Sequence, residues 1–391
     1  MTMFDYLIVG KGLFGAAAAR YLSQHSDKVA IIGPDEPQDW VNHPGVFSSH
    51  YDQGRIATYN GPDAVWAQLD RPSIAQYRAL ETASGVGFYE PVGLLTVSPP
   101  AAEYIYPYHV AAGDNVRQFS QADLPLPLRF PAGFNIFWEG APTGYINPRE
   151  MVRAQLAVAM GQKTAVIPHL VTRVQNQGSH VTVTTDDGTT SYTGEKVLLA
   201  TGAFANCFDL LPRPLHIVNK TETTILAEVS PETAAQLRQM PPVNYKIGSE
   251  ILGDLYLLPP IRYPNGRFYL KLGGNTPADH FLPTLGDLRR WFTSSSHPYL
   301  PAFQAALREM MPDTEFLSWQ FKPCVVCYTP HGKPFIGAVD ERIFLVTGGN
   351  GGSAHPSDAI GKLAAELVIN GRWSSPLDPS LFQIVYADEL A

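Results

Sequence analysis

Gly10-Lys11-Gly12-Leu13-Phe14-Gly15 separates an apolar run, Phe4–Val9, from an Ala-rich segment, Ala16–Gln24. Glycines at this spacing have distinct tasks. Gly10 permits a tight turn, Gly12 lets a pyrophosphate approach the backbone, and Gly15 lets helix and strand pack closely. Unpaired N–H groups at the start of the following helix then face the phosphates. A chance glycine-rich turn is the ordinary alternative. The flanks argue against it, because Val29–Ile32 supplies a second buried strand and completes a strand–turn–helix–strand unit. A ribose-binding carboxylate usually ends that second strand. Gly33 stands there, so Asp35 or Glu36 is expected to take the ribose hydroxyls, and a solvated turn carboxylate is the alternative for either.

A second glycine loop, Gly348-Gly349-Asn350-Gly351-Gly352-Ser353, follows the apolar run Arg342–Thr347 and precedes an amphipathic segment, Asp358–Ile369. It would meet the same nucleotide from another side through Gly349, Asn350, Gly351 and Gly352. Thr201-Gly202, after the strand-like Lys196–Ala200, and Val174, at the end of His169–Val174, are assigned to the same cofactor wall. The three cysteines, Cys207, Cys324 and Cys327, are too few for a disulfide framework. Cys324 and Cys327 form a lone C-x-x-C with no further ligand pair, so no metal site is expected. A thioredoxin-type pair is equally poor, since that motif normally opens a helix.

These residues need elements to hold them. At 391 residues, with 45% hydrophobic and 16% charged, the chain can build two domains with substantial cores. Helical periodicity covers 62–84, 149–160 and positions near 285–293 and 301–311, and 86–97 reads as paired strands. Residues 221–320 alternate and read as an antiparallel sheet. The expected fold is α/β (α+β): a Rossmann-type nucleotide domain with a parallel central sheet from 1–75, 147–220 and 322–391, interleaved with a substrate domain on a mixed or antiparallel sheet from 76–146 and 221–321. The net charge of −8 argues against nucleic-acid or acidic-membrane partners. No apolar run reaches the ~18 residues of a membrane span. The first residues lack a signal peptide's basic and cleavage regions, so a cytoplasmic location is expected. The sequence sets no oligomeric state, a monomer being one option.

The turn at 10–15, Ser48-Ser49-His50 ahead of Arg55, Lys271-Leu272-Gly273, and Cys324 leading to Thr329-Pro330 together resemble the D-amino-acid-oxidase superfamily. Within it they are most similar to monomeric sarcosine oxidase and N-methyl amino acid oxidases. The resemblance runs in order along nearly the whole chain and implies FAD as cofactor, with Ser48 and Ser49 near it. Cys324 lies six residues before Pro330, the offset of the cysteine that bonds to the flavin in such proteins, although the intervening residues differ. Covalent attachment through Cys324 is therefore implied, and a buried apolar thiol is the alternative. Lys271 matches a lysine that helps O2 accept an electron, where a cation stabilises nascent superoxide; an exposed strand lysine is its alternative. His50 and Arg55 resemble the His and Arg near the flavin ring. Three substrate-facing positions depart from the pattern and hold Thr58, Asn275 and His355. Arg262 and His355 are candidates for a rebuilt anion site, unless the substrate lacks a carboxylate.

The function expected is FAD-dependent oxidation of the C–N bond of a small, secondary or cyclic amine or amino acid to an imine, with O2 reduced to H2O2. His355 or Tyr328 would help deprotonate the substrate ammonium. Open alternatives are a flavin dehydrogenase with another acceptor, a biosynthetic tailoring oxidase on a bulkier amine, and a non-catalytic nucleotide-binding protein. NAD alone would satisfy the first glycine turn, but the second loop argues for FAD.

Overall fold

The computed structural model describes residues 3–100, 115–247 and 249–389. Apolar and β-branched runs form a first sheet whose centre is parallel: β1 (Met3–Val9), β2 (Val29–Ile32), β9 (Ala165–Ile167), β12 (Ser191–Leu199) and β19 (Ile343–Thr347). β10 (Val171–Asn176) and β11 (Val181–Thr185) extend it antiparallel from β12, and β18 (Phe335–Ala338) pairs antiparallel with β19. Leu7, Ile8, Ile31 and Leu345 are completely buried, as strands covered on both faces require. Helix α1 (Leu13–Leu22) connects β1 to β2 and buries Ala16–Ala19. Helix α7 (Ser357–Asn370) approaches α1 so closely that a Cβ on Gly361 would stand 2.5 Å from Ala17 Cβ. Buried Asp358 ties these helices to α3 (Pro148–Gly161): it accepts hydrogen bonds from Arg20 at 2.7 Å, Tyr21 at 2.8 Å and Gln155 at 2.7 Å.

The second sheet runs in the order β17 (Ser318–Tyr328), β13 (Val218–Val229), β16 (Phe268–Gly274), β15 (Asp254–Arg262), β14 (Val243–Lys246), β5 (Leu94–Ser98), β7 (Asn135–Glu139) and β6 (Val116–Phe119). Every pairing is antiparallel except β14 with β5. Helix α6 (Leu300–Met310) fills its core with Phe303, Leu307 and Met310, and α4 (Pro231–Gln236) adds Ala234. Helix α5 (Leu285–Phe292) is started by a capping box between Thr284 and Asp287. A small sheet of β3 (Arg55–Ala57), β8 (Gly144–Ile146) and β4 (Tyr89–Glu90) carries Arg55. Helix α2 (Ala64–Ser84) starts at Asp63, whose side chain accepts the Val65 and Trp66 N–H groups.

The architecture is the expected α/β one, with a parallel sheet carrying the nucleotide turn beside a largely antiparallel second sheet. Two local readings change. Residues 86–97 do not pair with each other: β4 joins the small sheet and β5 the large one, with Gly93 at φ 85° redirecting the chain between them. Residues 322–328 belong to the second sheet, because β17 is paired with β13 along its length. Residues 101–114 of the expected 76–146 segment lie outside the described residues. Among the described residues no helix is long and apolar enough to cross a membrane.

Candidate active site

A cavity of about 630 Å³ is walled by both large sheets and by the loops that leave β1, β12 and β19. The first glycine turn forms part of it through Gly10, Gly12, Leu13 and Phe14. Gly10 has φ 111°, and a Cβ there would stand 2.3 Å from Ala200 O; a Cβ on Gly15 would stand 1.9 Å from Gly10 O. Only glycine fits these two positions. Gly15 therefore acts by packing and does not itself line the cavity. Helix α1 begins at Gly12 with no side-chain cap and no acidic residue in its first turn. Its free N–H groups suit an anion. Buried Thr201 Oγ1, also on the cavity wall, has no hydrogen-bond partner. This set of unused donors fits a dinucleotide pyrophosphate.

The remaining cofactor-side residues divide. Ser48, Ser49, Thr201, Gly202, Gly349, Asn350, Gly351 and Gly352 line the cavity. Leu170 and Val171 line it where Val174 was expected; the Val174 N–H instead donates to Asp209 O at 2.9 Å. Asp35 is exposed and paired with Lys11, whereas Glu36 accepts two hydrogen bonds from Arg149, at 2.7 and 2.6 Å. Neither carboxylate lines the cavity, and each is paired with a nearby cation. Asn350, at φ 49°, braces the second loop: its Oδ1 accepts the Thr329 N–H at 2.9 Å and its N–H donates to Cys327 O at 2.9 Å.

Behind one wall lies a charge cluster centred on Asp52. Lys271 Nζ donates to Asp52 Oδ2 at 2.5 Å and to Gly54 O at 3.2 Å, Tyr263 donates to Asp52 Oδ1 at 2.9 Å, and Arg55 also pairs with Asp52. Burial opposes ionisation of Asp52, but Lys271 and Arg55 outweigh it and hold the carboxyl well below its ordinary range. Burial, with repulsion from Arg55, lowers Lys271 to about 8 despite Asp52. Lys271 is thus a buried residue, 5.2 Å from the Tyr256 ring centroid, and Tyr256 rather than Lys271 lines the cavity. Burial also lowers His50 to about 3, with Arg149, Lys11 and Arg55 adding to the effect, so its imidazole is neutral. Ser48 Oγ lies 2.5 Å from His50 Nδ1. Arg55 is the cation on this part of the wall, with Nη2 3.8 Å from Cys324 Sγ.

Cys324 and Cys327 both border the cavity but occupy opposite faces of β17, because their spacing is odd and the strand period is two. Cys327 is buried, and burial pushes its thiol up to about 12. Tyr328 lines the cavity as well. Burial raises its phenol, which remains a donor at neutral pH. Thr58, Asn275 and His355 also line it. Asn275 Oδ1 accepts from Lys220 Nζ at 2.5 Å. Arg262 does not join them; it is exposed at the end of β15, its Nε 3.4 Å from Gly266 O.

Four residues were not anticipated: Asp52, Asp70, Glu222 and Tyr256. Asp70 is completely buried on α2, and its Oδ1 lies 2.9 Å from His355 Nε2. The approach does not align a hydrogen bond, and both Asp70 oxygens and His355 Nε2 have no hydrogen-bond partner. An aspartate four positions from Trp66 and Ile74, on the apolar stripe of α2, was a usable signal. Glu222 was an acid flanked by Thr221 and Thr223 within a strand whose other residues are mostly buried threonines and aliphatics. Tyr256 gave no local sign, but Gly273 did: a Cβ there would stand 2.4 Å from Tyr256 Cζ, so glycine makes room for the ring. Among the described residues no three His, Cys, Asp or Glu side chains gather as metal ligands.

A glycine cradle at a helix start, a second glycine loop and an enclosed cavity shared with an antiparallel sheet define a dinucleotide-dependent oxidoreductase. The sequence matches the family described as FAD dependent oxidoreductase over residues 5–367, and the chain belongs to that family. FAD is accordingly its cofactor, and the unused donors around Gly12 and Thr201 are the residues that would hold it. The N-methyl-L-tryptophan oxidases of Yersinia pestis and Yersinia pseudotuberculosis are 25% identical over 97% of this chain and 98% of theirs. Among solved structures, NikD, an unusual amino acid oxidase essential for nikkomycin biosynthesis, superposes with a TM-score of 0.76 at 16% identity, covering 99% of this chain and 98% of that one. Glycine oxidase from Geobacillus kaustophilus gives 0.71 at 18% identity, covering 98% and 99%. These two likenesses concern the fold.

Proposed function

We propose that this protein is an FAD-dependent oxidase that converts a C–N bond of a small, secondary or cyclic amine or amino acid to an imine. The observation that carries the reading is one continuous cavity: the glycine cradle, Cys324 with Arg55, and the polar group of Glu222, Asp70 and His355 all border it. Flavin chemistry supplies the two-electron oxidation. The substrate carbon gives up its hydrogen with two electrons, the nitrogen lone pair becomes the second C–N bond, and the N–H proton leaves. O2 takes up the two electrons and two protons as H2O2. The relatives named for N-methyl-L-tryptophan oxidation support the bond type.

The chain's own groups orient and shield the substrate. Arg55 keeps its charge because Asp52 more than offsets the burial that opposes it. Such a cation stabilises negative charge developing on a bound cofactor. Cys324 is the residue proposed to carry a thioether to the flavin methyl. Such a thioether would anchor the cofactor to β17 beside Arg55. Lys271 acts on O2 through its field, from behind Tyr256.

That indirect placement favours one second reading, a dehydrogenase with an acceptor other than O2, since no cation of Lys271 reaches the cavity wall. The deciding experiment follows the visible spectrum of purified protein mixed anaerobically with a panel of secondary and cyclic amines, then exposed to air. Bleaching followed by rapid recovery with stoichiometric peroxide is expected. Bleaching without recovery in air would establish the dehydrogenase, and a protein that no amine bleaches would end the C–N reading.

A further inference from the structure

We infer that Glu222 is the counter-ion for a cationic substrate, and that the enzyme takes amines whose reacting nitrogen has no neighbouring carboxylate. This rests on the C–N oxidation proposed above for the identity of the reaction, but its argument is separate. Glu222 stands in β13 between Thr221 and Thr223, both buried, and its own side chain is 13% exposed, toward the cavity that it lines. No described residue donates a hydrogen bond to its carboxylate. Lys220 Nζ is 3.9 Å away and is engaged by Asp279 at 2.7 Å and Asn275 at 2.5 Å. A carboxylate taken out of water with no hydrogen-bond donor and only a distant, shared lysine is costly, so a cation arriving in the cavity is favoured there.

The rest of the wall agrees. Lys11 and Arg55 are the lysine and arginine among the described lining residues, and each already faces a carboxylate, Asp35 and Asp52 respectively. Each is already offset by a neighbouring carboxylate, Arg55 by buried Asp52 and Lys11 by exposed Asp35, which weakens the field either offers a substrate carboxylate. His355 has the Asp70 carboxylate 2.9 Å from its ring, and Arg262 lies outside. Tyr256 and Tyr328 line the same cavity, and a carboxylate combined with aromatic rings suits an ammonium group.

The groups that face Glu222 are Lys220 on its own strand, Lys271 on β16, Tyr256 on β15, Asp279 after β16, Arg55 on β3, and Cys324 and Tyr328 on β17. Burial raises the Glu222 carboxyl; Lys220 opposes this, Asp279 adds to it, and Lys271 and Arg55 oppose it, leaving it at about 7. A cation therefore binds the ionised form, with affinity rising as pH rises through that value.

The test uses the holoenzyme and two probes, by calorimetry at pH 6, 7 and 8. Benzyltrimethylammonium is a permanent cation without the nitrogen lone pair that oxidation needs, and phenylacetate is an anion of similar shape. The expected result is a Kd for the cation that falls about tenfold from pH 6 to pH 8, following one ionisation near 7. Glu222→Gln is expected to weaken the cation at pH 8 by roughly tenfold or more and to remove the pH dependence. Glu222→Asp should keep the pH dependence. Retained FAD colour certifies the variants, and if Glu222→Gln fails to fold, the wild-type pH dependence decides. A Glu222→Gln Kd within twofold of wild type, a pH-independent wild-type Kd, or phenylacetate binding more tightly than the cation overturns the inference. Oxidation of amino acids with competition by phenylacetate leaves the C–N reaction standing and removes this role for Glu222. Glu222-dependent cation binding in a protein that oxidises no amine does the reverse.

Discussion

Glu222 and Cys324 stand directly opposite each other across the antiparallel β13–β17 ladder, so their side chains share one face of the sheet, and both border the cavity. Direct cross-strand partners lie within about 5.5 Å at the backbone. The thiol proposed for flavin attachment and the carboxylate proposed for substrate are therefore held in register by eleven paired positions. Attachment at Cys324 would fix the flavin next to the substrate's counter-ion. Acid precipitation of wild-type protein is expected to leave the flavin in the pellet, and Cys324→Ala to release it to the supernatant. Cys327→Ala should not change the partition, because that thiol lies on the opposite face of β17 and burial keeps it protonated. Flavin released from the wild type would refute the linkage.

Lys271 and Asp52 set a pH limit on the reaction with O2. Lys271 is cationic below about 8 and loses its charge above, so the rate of reoxidation by O2 should be highest below that value and decline as pH rises through it. Lys271→Met is expected to slow reoxidation by roughly 10²–10³-fold, the scale of one removed electrostatic stabiliser, and to flatten that pH profile. Stopped-flow mixing of the reduced enzyme with O2 reads both. Its cost in stability should lie near the lower end of roughly 3–5 kcal/mol, because Arg55 stays beside Asp52. An unaltered rate in Lys271→Met would assign O2 activation elsewhere.

His355 and Asp70 should behave as one unit. Each is buried, with Asp70 Oδ1 2.9 Å from His355 Nε2. Replacing His355 by Ala strands the aspartate, and replacing Asp70 by Asn frees the ring. Each single change is expected to lower kcat/KM, and the double change should cost less than their sum by about 0.5–3 kcal/mol. A double-mutant cycle on kcat/KM and on denaturant midpoints measures the coupling; strict additivity would show that the contact does nothing.

Asp35 is expected to be nearly silent. Its side chain is 74% exposed and its partner Lys11 is charged, an arrangement worth little in water. In a Cys324→Ala background, where FAD binding can be titrated by fluorescence, Asp35→Ala should leave the affinity within about threefold. A loss of tenfold or more would show that Asp35 leaves Lys11 to take the ribose.

Neighbouring residues sufficed for the elements and for the cofactor. The turn at Gly10–Gly15 needs only a strand before it and a helix after it, and α5 and α6 fall where the apolar spacing placed them. The strand period alone separates Cys324 from Cys327. The charge state and partner of each polar side chain required the assembled molecule. Asp52 and Lys271 are 219 positions apart in the chain, yet they form a buried pair that displaces Lys271 from the cavity wall. Asp35 and Glu36 are paired with Lys11 and Arg149, Arg262 is left in solvent, and Glu222 and Asp70 are brought to the cavity wall, Asp70 beside His355 and Glu222 with no hydrogen-bond donor among the described residues. Local pattern sets backbone conformation through nearest-neighbour sterics and hydrogen bonding. Burial and distance between charges arise only when separate sheets and helices meet, and those two quantities decide which residues remain free to act on a substrate.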